Sequence, residues 1–508
     1  MSFQRIIDGF ICLIVLSSLG GCVSKENEGE YQSGEMEHVK RDKHRPAFHF
    51  TPQSNWMNDP NGMVYFEEEY HLFYQYYPDS TVWGPMHWGH AVSKDLISWE
   101  HLPIALYPDS LGYIFSGSAV VDWQNTSGFG EDGNPPLIAI FTYHDMEAEK
   151  AGRIDFQYQG IAYSLDKGRT WTKYDQNPVL PNQGVKDFRD PKVFWYEPGK
   201  KWVMTLAELD HVSFYSSTDL KKWEKESDFG KGFGSHAGVW ECPDLFEIQV
   251  NGTNESKWVL LLSINPGGPQ GGSATQYFVG DFDGQNFIPD ESFSKEILNE
   301  QAVWLDYGAD NYAGVTWSDI PEEDGRRLFI GWMSNWQYAQ VVPTTKWRSA
   351  MTMTRALELH RTESSYRIHS KVIDEYNEII GEGSSIENLQ ADIYMVNLSV
   401  SNDFEFTLAN VSNEQVVIEM TGDTLYFDRS KSGIVDFEDG FGTRHQTYVG
   451  DLKIEKLTVY VDYSSVEIFV NDGELVITEL IFPNQPFDKI TVDGDAEITI
   501  TRPIKEIM

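Results

Sequence analysis

SKDLISW (residues 93–99), SLDKGRTW (164–171) and STDLKKW (217–223) are three versions of one short segment, and GDFDGQNF (280–287) is a looser fourth. Each version joins a turn containing Asp to an aromatic residue, between short runs rich in Tyr, Phe, Trp and Val, which predicts a β-hairpin. One hairpin per unit over roughly 300 residues is typical of a β-propeller, whose four-stranded blades surround a central channel. The repeated Asp and Trp residues are therefore interpreted as turn and packing residues.

The sequence pattern changes after residue 356. Residues 357–508 contain alternating runs such as LTVYVDYSSVEIFVN (457–471), separated by turn residues. A period of two is typical of strands with one buried face, as in a β-sandwich. Since 508 residues exceed what one hydrophobic core usually holds, we expect an all-β chain of two domains, a β-propeller over 45–356 and a β-sandwich over 357–508.

The N-terminal segment predicts export. Arg5 precedes a short apolar run (9–19), and LGGC (19–22) has the small residues before cysteine of a lipoprotein processing site. The run is shorter than the roughly 20 apolar residues that a transmembrane helix needs. We expect residues 1–21 to be a signal peptide, Cys22 to be lipidated, and the polar residues 22–44 to be a flexible tether. An ordinary secretory signal is the alternative.

These features predict an exported lipoprotein of the cell envelope, attached to the outer membrane through the lipid on Cys22. The acidic stretch 25–30 is similar to surface-export signals of some Gram-negative lipoproteins, so the protein is expected to face the cell exterior.

Composition narrows the possible partners. The chain has 78 acidic and 39 basic residues, a formal net charge of −39, which argues against nucleic acid and an anionic membrane surface as partners.

Of the three cysteines, Cys12 and Cys22 belong to the predicted leader, so no intramolecular disulfide is expected in the mature chain. Cys242 is interpreted as a small buried residue and not as a thiol nucleophile. HWGH (87–90) is interpreted as a structural histidine pair and not as a zinc site.

Three acidic motifs lie far apart along the chain: WMNDPNG (56–62), FRDPK (188–192) and ECPDLF (241–246). Each puts a carboxylate beside proline or cysteine between apolar runs, where we expect a tight turn that holds the charge partly out of water. Cleavage of an acetal needs one carboxyl group to protonate the leaving oxygen and another to face the developing oxocarbenium ion. The candidates are Asp59, Asp190 and Glu241.

Each candidate also has a structural interpretation, because an Asp before Pro is commonly a turn residue that caps backbone amides. The surroundings favour catalysis. Asn58 and Asn61 flank Asp59 with hydrogen-bond donors, Arg189 precedes Asp190, and Trp56 offers an aromatic face for a sugar.

The motifs resemble those of glycoside hydrolase family 32, the fructan hydrolases and invertases. In the order of that family, they are similar to its nucleophile, RDP and EC motifs. Further similar stretches are FYQYYP (73–78), WGPMHWGHAVSKDLISW (83–99), FSGSAV (115–120) and GWMSNWQYA (331–339). The resemblance implies a five-bladed β-propeller followed by a β-sandwich, without a metal ion or organic cofactor.

The same resemblance implies a role for each candidate. Asp59 would be the nucleophile, Glu241 the general acid/base, and Asp190, beside Arg189, would accept hydrogen bonds from fructose hydroxyls. The residues implied to line the pocket for the terminal fructosyl unit are Asn58, Gln75, Trp83, Phe115, Ser116, Arg189 and Trp336. Independently of the family, a nucleophilic carboxylate must stay ionised and a general acid must keep its proton, which desolvation of Glu241 would favour.

We therefore expect a retaining hydrolase that cleaves β-D-fructofuranosidic linkages in fructans, levan or inulin, by double displacement. A surface tether suits a polymer, because long chains cannot enter a cell before they are cut. An invertase or fructosyltransferase acting on sucrose or short fructo-oligosaccharides is the alternative of similar chemistry. A non-catalytic surface glycan-binding lipoprotein is the alternative of another class, and the complete set of three carboxylates argues against it.

Overall fold

The computed structural model describes residues 42–131, 133–383, 391–450 and 452–507. The predicted signal peptide, Cys22 and the tether up to residue 41 lie outside the described residues. His44 is already buried, and its Nε2 lies 2.8 Å from the carbonyl oxygen of Pro483. In the part of the chain that the structure describes, no helix is long and apolar enough to cross a bilayer.

Five sheets, antiparallel apart from one parallel pair in the first, follow one another along the first part of the chain. The first contains β1 (Asn55–Phe66), β2 (Glu69–Tyr77), β3 (His87–Ser93) and β4 (Trp99–Leu106). The second contains β5 (Tyr113–Val121), β6 (Leu137–His144), β7 (Gln157–Ser164) and β8 (Thr172–Lys173). The third contains β9 (Phe188–Tyr196), β10 (Lys201–Glu208), β11 (His211–Ser217) and β12 (Glu224–Phe229). The fourth contains β13 (Val239–Gln249), β14 (Ser256–Asn265), β15 (Ala274–Phe282) and β16 (Phe287–Pro289).

The fifth sheet is interrupted by a strand that belongs to the first. It contains β17 (Tyr312–Thr316) and β18 (Arg327–Met333) and then, after β19 (Trp347–Arg348) has joined the first sheet, β20 (Ala350–Met351), β21 (Arg355–Arg361) and β22 (Tyr366–Val372). Among the described residues, the helical segments are α1 (Met146–Lys150), α2 (Glu291–Ile297) and the 3-10 turns Glu197–Gly199 and Asp374–Glu378.

The first strands of the five sheets form a closed ring. β1 lies against β5, β5 against β9, β9 against β13, β13 against β17, and β17 against β1. β19 pairs in parallel with β1, where Trp347 lies opposite Asn55, and so connects the last part of the ring to the first. The sheets are thus the blades of a five-bladed β-propeller, which confirms the expected architecture.

The repeated segment forms the turn between the third and fourth strands of blades 1 to 4. In blade 1, the Asp95 carboxylate accepts hydrogen bonds from the backbone N–H groups of Ile97 (2.9 Å) and Ser98 (2.7 Å). The hydroxyl oxygen of Ser93 accepts one from the N–H of Leu96 (2.8 Å). The equivalent carboxylates in blades 2 to 4 are those of Asp166, Asp219 and Asp283. The interpretation of the repeated Asp as a turn residue is therefore confirmed.

The described part of the C-terminal domain contains eight strands and is sandwich-like, as expected. They are β23 (Tyr394–Ala409), β24 (Gln415–Thr421), β25 (Thr424–Lys431), β26 (Arg444–Tyr448), β27 (Lys456–Asp462), β28 (Ser465–Val470), β29 (Leu475–Leu480) and β30 (Lys489–Pro503). The long strand β23 pairs with β27 through its first half, with β24 through its second, and with β30 along both. The buried faces of these strands share one apolar core.

The predicted boundary at residue 356 falls inside blade 5. Ala356 on β21 lies opposite Leu328 on β18, and β22 pairs with β21. The structure therefore moves the end of the propeller from Ala356 to Val372, and the first sandwich strand begins at Tyr394. The outer blade strands alternate buried and partly exposed residues as sandwich strands do, so this pattern alone does not separate the two domains.

A buried ionic network joins the propeller to the sandwich. Arg355 on β21 places Nη1 2.9 Å from Asp306 Oδ2 and Nη2 2.6 Å from Glu467 Oε2 on β28. His49 lies between Glu467 Oε1 (2.8 Å) and Asp462 Oδ2 (2.7 Å). Burial alone would lower the pKa of His49, but hydrogen bonds and charge from the two carboxylates outweigh it and raise the pKa to about 9. The domain interface therefore depends on paired buried charges.

We predict that Arg355→Met destabilises the protein strongly, because it leaves Asp306 and Glu467 buried without the guanidinium between them. The free energy of unfolding should fall by about 3 to 5 kcal/mol, the usual cost of removing one partner of a buried pair. Urea denaturation followed by tryptophan fluorescence measures it. The matched control is Arg444→Met, which removes the surface pair with Glu419 and should cost at most about 1 kcal/mol. Equal losses in the two variants would show that the buried network contributes no more to the free energy of unfolding than a surface ion pair does.

Candidate active site

The three predicted carboxylates lie on the first strands of three blades. Asp59 is on β1, Asp190 on β9 and Glu241 on β13. Each lies in the first half of its strand, and because the first strands surround the channel, the three side chains converge at one end of it. The separation in sequence is therefore bridged by the propeller ring.

The acidic motifs form bulges within strands and not the tight turns that we expected. The pairing of β1 with β2 shifts between Met57 and Pro60, and the pairing of β13 with β14 shifts between Glu241 and Asp244. The ladder between β9 and β10 is interrupted similarly around Asp190. Proline has no N–H to donate to a ladder, so a strand that contains it tends to bulge. The bulge turns each carboxylate out of the regular sheet and into the channel.

All ten predicted site residues line one cavity of about 300 Å³. They are Asn58, Asp59, Gln75, Trp83, Phe115, Ser116, Arg189, Asp190, Glu241 and Trp336. Blades 1 to 4 contribute through their strands and the loop after β2, and blade 5 contributes Trp336 from the segment after β18. All five blades therefore contribute to the wall of the cavity.

Asp59 is held by two hydrogen bonds to its carboxylate. The Asn58 side-chain amide donates to Oδ1 at 2.9 Å, and the Ser116 hydroxyl donates to Oδ2 at 2.7 Å. Asn61, which we expected to donate as well, bonds instead to the backbone carbonyl of Asp59. Burial raises the pKa of Asp59, while the bonds from Asn58 and Ser116 favour the ionised form and oppose that rise.

Asp190 adopts a left-handed backbone conformation (φ 64°). Its Oδ2 accepts a hydrogen bond from the backbone N–H of Cys242 at 3.0 Å. Burial, together with the charges of Glu241 and Asp59, raises the pKa of Asp190 to about 7, although Arg189 lowers it. This carboxyl group therefore changes protonation near neutral pH.

Arg189 connects the acidic groups. Its Nη2 lies 2.7 Å from Glu241 Oε1, and its Nη1 lies 2.7 Å from Asp187 Oδ1. Burial raises the pKa of Glu241, the charge and hydrogen bond of Arg189 lower it, and Asp59 raises it further, so the pKa stays above its ordinary value. Arg189 thus compensates part of the charge and fixes the orientation of Glu241.

Cys242 is confirmed as a buried residue with 4% of its surface exposed. Its Sγ lies 3.8 Å from Asp59 Oδ2 and 3.6 Å from Asp190 Oδ2. Burial and the adjacent carboxylates raise the pKa of the thiol well above its ordinary value. A thiol held neutral in this way is a poor nucleophile, and it fills the space between the two aspartates.

The cavity also contains six residues that no sequence motif marked: His144, Glu149, Phe156, Gln157, Asp187 and Gln340. The His144 ring stacks on Phe115, with ring centroids 4.2 Å apart. Its Nε2 lies 3.0 Å from Glu149 on α1, and its Nδ1 accepts from the Gln157 amide at 3.2 Å. Asp145 next to His144 is the N-cap of α1. An N-cap residue predicts the start of a helix, but it does not predict that His144 and Glu149 line a cavity.

The two histidines of HWGH do not form a pair. His90 Nε2 lies 3.0 Å from His71 Nδ1, whereas His87 Nδ1 lies 2.9 Å from the carbonyl oxygen of Pro85. Burial lowers the pKa of His90 well below its ordinary value, so this ring is neutral. The side chains of neighbouring strands, and not the sequence spacing, decide the partner of each ring.

One other group of side chains in the described residues has metal-ligand spacing, that of Glu208, His211 and Asp228. The Lys225 ammonium lies 2.8 Å from Asp228 and 3.4 Å from Glu208. A lysine thus already neutralises this acidic group.

Buried carboxyl groups with raised pKa values, a compensating arginine and aromatic walls at the mouth of a propeller channel define a glycoside hydrolase. Comparison with known proteins identifies which one. The glycosyl hydrolase family 32 N-terminal domain matches residues 49–370, and the family 32 C-terminal domain matches residues 355–502. The chain belongs to glycoside hydrolase family 32, which confirms the family expected from the motifs.

Similar proteins and structures agree with this assignment. The chain is 50% identical to a levanase of Bacillus subtilis (strain 168), an alignment that covers 87% of this chain and 67% of the levanase. It is 40% identical to the extracellular exo-inulinase inuE of Aspergillus niger, which covers 87% of this chain and 90% of that protein. The crystal structure of exo-inulinase from Aspergillus awamori superposes with a TM-score of 0.83 at 35% identity, over 92% of this chain and 99% of that one.

We predict that Arg189→Gln shifts the pH profile of glycoside hydrolysis towards higher pH. Removing the guanidinium raises the pKa of Glu241, Asp190 and Asp59, each of which Arg189 now lowers. At neutral pH, kcat/KM should fall by roughly 100-fold or more, since a preorganised charge is lost. Measurement of kcat/KM from pH 4 to 9 tests this, with Arg444→Gln as a control on the surface of the other domain. A lower rate with an unshifted profile would show that Arg189 does not set these pKa values.

Proposed function

We propose that the chain is a fructan hydrolase that cleaves β-D-fructofuranosidic linkages of levan or inulin with retention of configuration. The observation that carries this proposal is the convergence of all ten predicted residues on one cavity. Membership of family 32 and the similarity to proteins named levanase and exo-inulinase support it.

The contacts support a separate role for each acid. Asp59, oriented by Asn58 and Ser116, attacks the anomeric carbon and forms a fructosyl-enzyme. Glu241, whose pKa is raised by burial, gives its proton to the leaving oxygen and then takes one from the attacking water. The water attacks the anomeric carbon as Glu241 takes its proton, which breaks the bond to Asp59 and releases fructose with Asp59 ionised again. Retention follows from these two displacements.

Asp190 and Arg189 serve the sugar and the charge balance. Asp190 is held by the Cys242 N–H, so its free carboxyl oxygen can accept hydrogen bonds from fructose hydroxyls. Such bonds strengthen as charge develops on the ring, which stabilises the transition state. Arg189 keeps Glu241 in place between turnovers.

The shape of the cavity supports exo action. Its walls come from all five blades and its volume is about 300 Å³, at the lower end of the range for small-ligand pockets. A polymer can enter such a pocket with its end but not with its middle. The released product is then a single fructose.

We predict that the protein releases fructose alone from the outset of levan or inulin digestion, and that Asp59→Asn reduces this rate at least about 10³-fold. Chromatography of products over time measures both. The matched control is Asp95→Asn, in the outer turn of blade 1, which should retain activity.

Other product patterns identify the competing functions. A ladder of oligosaccharides from one polymer would replace exo with endo action, and longer fructosides at high sucrose would indicate a transferase. In methanol, the methyl fructoside should have the β configuration, and the α anomer would contradict retention. No release from levan, inulin or sucrose by the unaltered protein would favour the binding module.

We also propose that the chain is a lipoprotein, with residues 1–21 as signal peptide, lipid on Cys22, and a tether that ends before residue 44, since His44 is already buried against Pro483. The LGGC sequence supports the processing site, and the exo-inulinase relatives carry the word extracellular in their names. Attachment to the outer membrane, facing outwards, would place the enzyme where polymers are met.

We predict that the full chain partitions into the detergent phase after Triton X-114 extraction of cells, whereas Cys22→Ser moves to the aqueous phase. Membrane attachment of the proposed lipoprotein depends on the lipid on Cys22, and even one acyl chain gives only marginal membrane binding. A variant without any lipid should therefore leave the detergent phase completely. The matched control is Cys242→Ser, which leaves the processing site intact and should partition like the unaltered chain. Equal partitioning of all three would exclude the anchor.

A further inference from the structure

A second cavity, of about 350 Å³, lies at the other ends of the inner strands. On each of β5, β9 and β13, one residue lines the active-site cavity and the residue four positions later lines the second cavity. These pairs are Ser116 and Val120, Asp190 and Phe194, and Glu241 and Leu245. Lys192 and Asp244 also line the second cavity, two and three positions after Asp190 and Glu241, so roughly 7 to 13 Å of strand separates the two linings at about 3.3 Å per residue. The two cavities share no lining residue, and the second is not part of the catalytic pocket.

The polar end of this cavity contains a carboxylate oxygen that needs a partner. Asp244 is completely buried, and its Oδ2 accepts hydrogen bonds from Lys192 Nζ (3.2 Å) and from the N–H (2.6 Å) and hydroxyl (2.8 Å) of Thr316. Its Oδ1 has no hydrogen-bond partner among the described residues. Leaving a buried polar atom unpaired is costly, so a hydroxyl group placed there would be bound favourably.

The charges around the cavity favour a neutral ligand. Lys192 and Arg327 contribute positive charge, and Asp244, Asp319 and Glu247 contribute negative charge. A cationic ligand would meet the two basic groups, and an anionic ligand would meet the carboxylates. A neutral molecule with several hydroxyl groups can use both kinds of partner, because a hydroxyl both donates and accepts.

An exposed indole ring at the cavity is held in a fixed orientation. Trp123 is 62% exposed, its Nε1 donates to Asp319 Oδ1 at 2.9 Å, and its ring centroid lies 5.8 Å from that of Phe66. Further aromatic residues in the lining are Phe194, Trp195, Trp202, Phe246 and Trp258. A sugar ring packs its C–H face on such a surface and directs its hydroxyls to polar groups at the edge.

We propose that this cavity is a second carbohydrate site, which binds a neutral sugar unit between Trp123 and Asp244. That the sugar belongs to a fructan rests on the proposed function. A fructosyl segment held here would keep a polymer on the protein between successive cuts at the opposite end of the channel.

Affinity electrophoresis in gels that contain levan, inulin or dextran tests the proposal. The Asp59→Asn chain is used throughout, so that the polymer is not consumed. We expect retardation by at least one polymer. Adding Trp123→Ala should raise the dissociation constant for that polymer roughly tenfold, because the indole face no longer covers the sugar. The matched control is Tyr448→Ala, which removes a 70% exposed aromatic from the sandwich domain and should leave the retardation unchanged. Equal thermal unfolding of the variants excludes a folding defect.

Two results would overturn the second site: absence of retardation by all three polymers, or equal retardation of the Trp123→Ala and Tyr448→Ala chains. Failure of the proposed function looks different. If the unaltered protein releases no sugar from levan, inulin or sucrose, while retardation still depends on Trp123, the fructan hydrolase proposal fails and the carbohydrate site stands.

Discussion

Three carboxyl groups buried in one cavity repel one another, and the Arg189 guanidinium stands among them. It pairs with Glu241 and Asp187 and lies 3.9 Å from Asp190. Without a cation there, burial would push these carboxyl groups towards their neutral forms, and an ionised nucleophile could not be kept beside a protonated acid. The rest of the propeller holds the strands rigidly, so that one guanidinium stays within 4 Å of Asp187, Asp190 and Glu241 and stabilises their negative charges.

That frame depends on irregular strands. The inner strands pair regularly along most of their length and lose register where proline interrupts the ladder. Asp190 and Cys242 take positive φ angles at these points, a conformation that costs free energy for residues with a side chain. Pairing and packing in the surrounding sheets offset that cost. The strained conformations turn the carboxylates out of the plane of the blade, so that they face the channel.

The sequence alone was sufficient for the parts of this molecule that are local or chemically distinctive. The Asp turns could be predicted because Asp95 bonds to amides within three residues. The three carboxylates could be singled out from their motifs, whereas the residues that line the pocket were implied by the resemblance to family 32. Contacts between side chains of different blades could not be predicted from the sequence alone. Asn58 donates to the Asp59 carboxylate as expected, but the second donor is Ser116 from the next blade and not Asn61. His144 and Glu149 line the cavity although no motif marked them. The boundary at residue 356 failed because outer blade strands and sandwich strands bury alternate residues in the same way.

The parallel pair of β1 and β19 has a consequence for how the molecule is made. Trp56 pairs with Arg348 two positions before the Asn58–Asp59 dipeptide, so the strand that carries the nucleophile candidate gains its last neighbour only when the fifth blade has been synthesised. Bringing such distant residues together is slow and entropically costly, because the intervening chain must first be ordered. A growing polypeptide that ends before Trp347 therefore has every acid of the first four blades and the two inner strands of blade 5. It still lacks β19, the strand that pairs with β1 beside Asp59, so the site is expected to be completed late in synthesis.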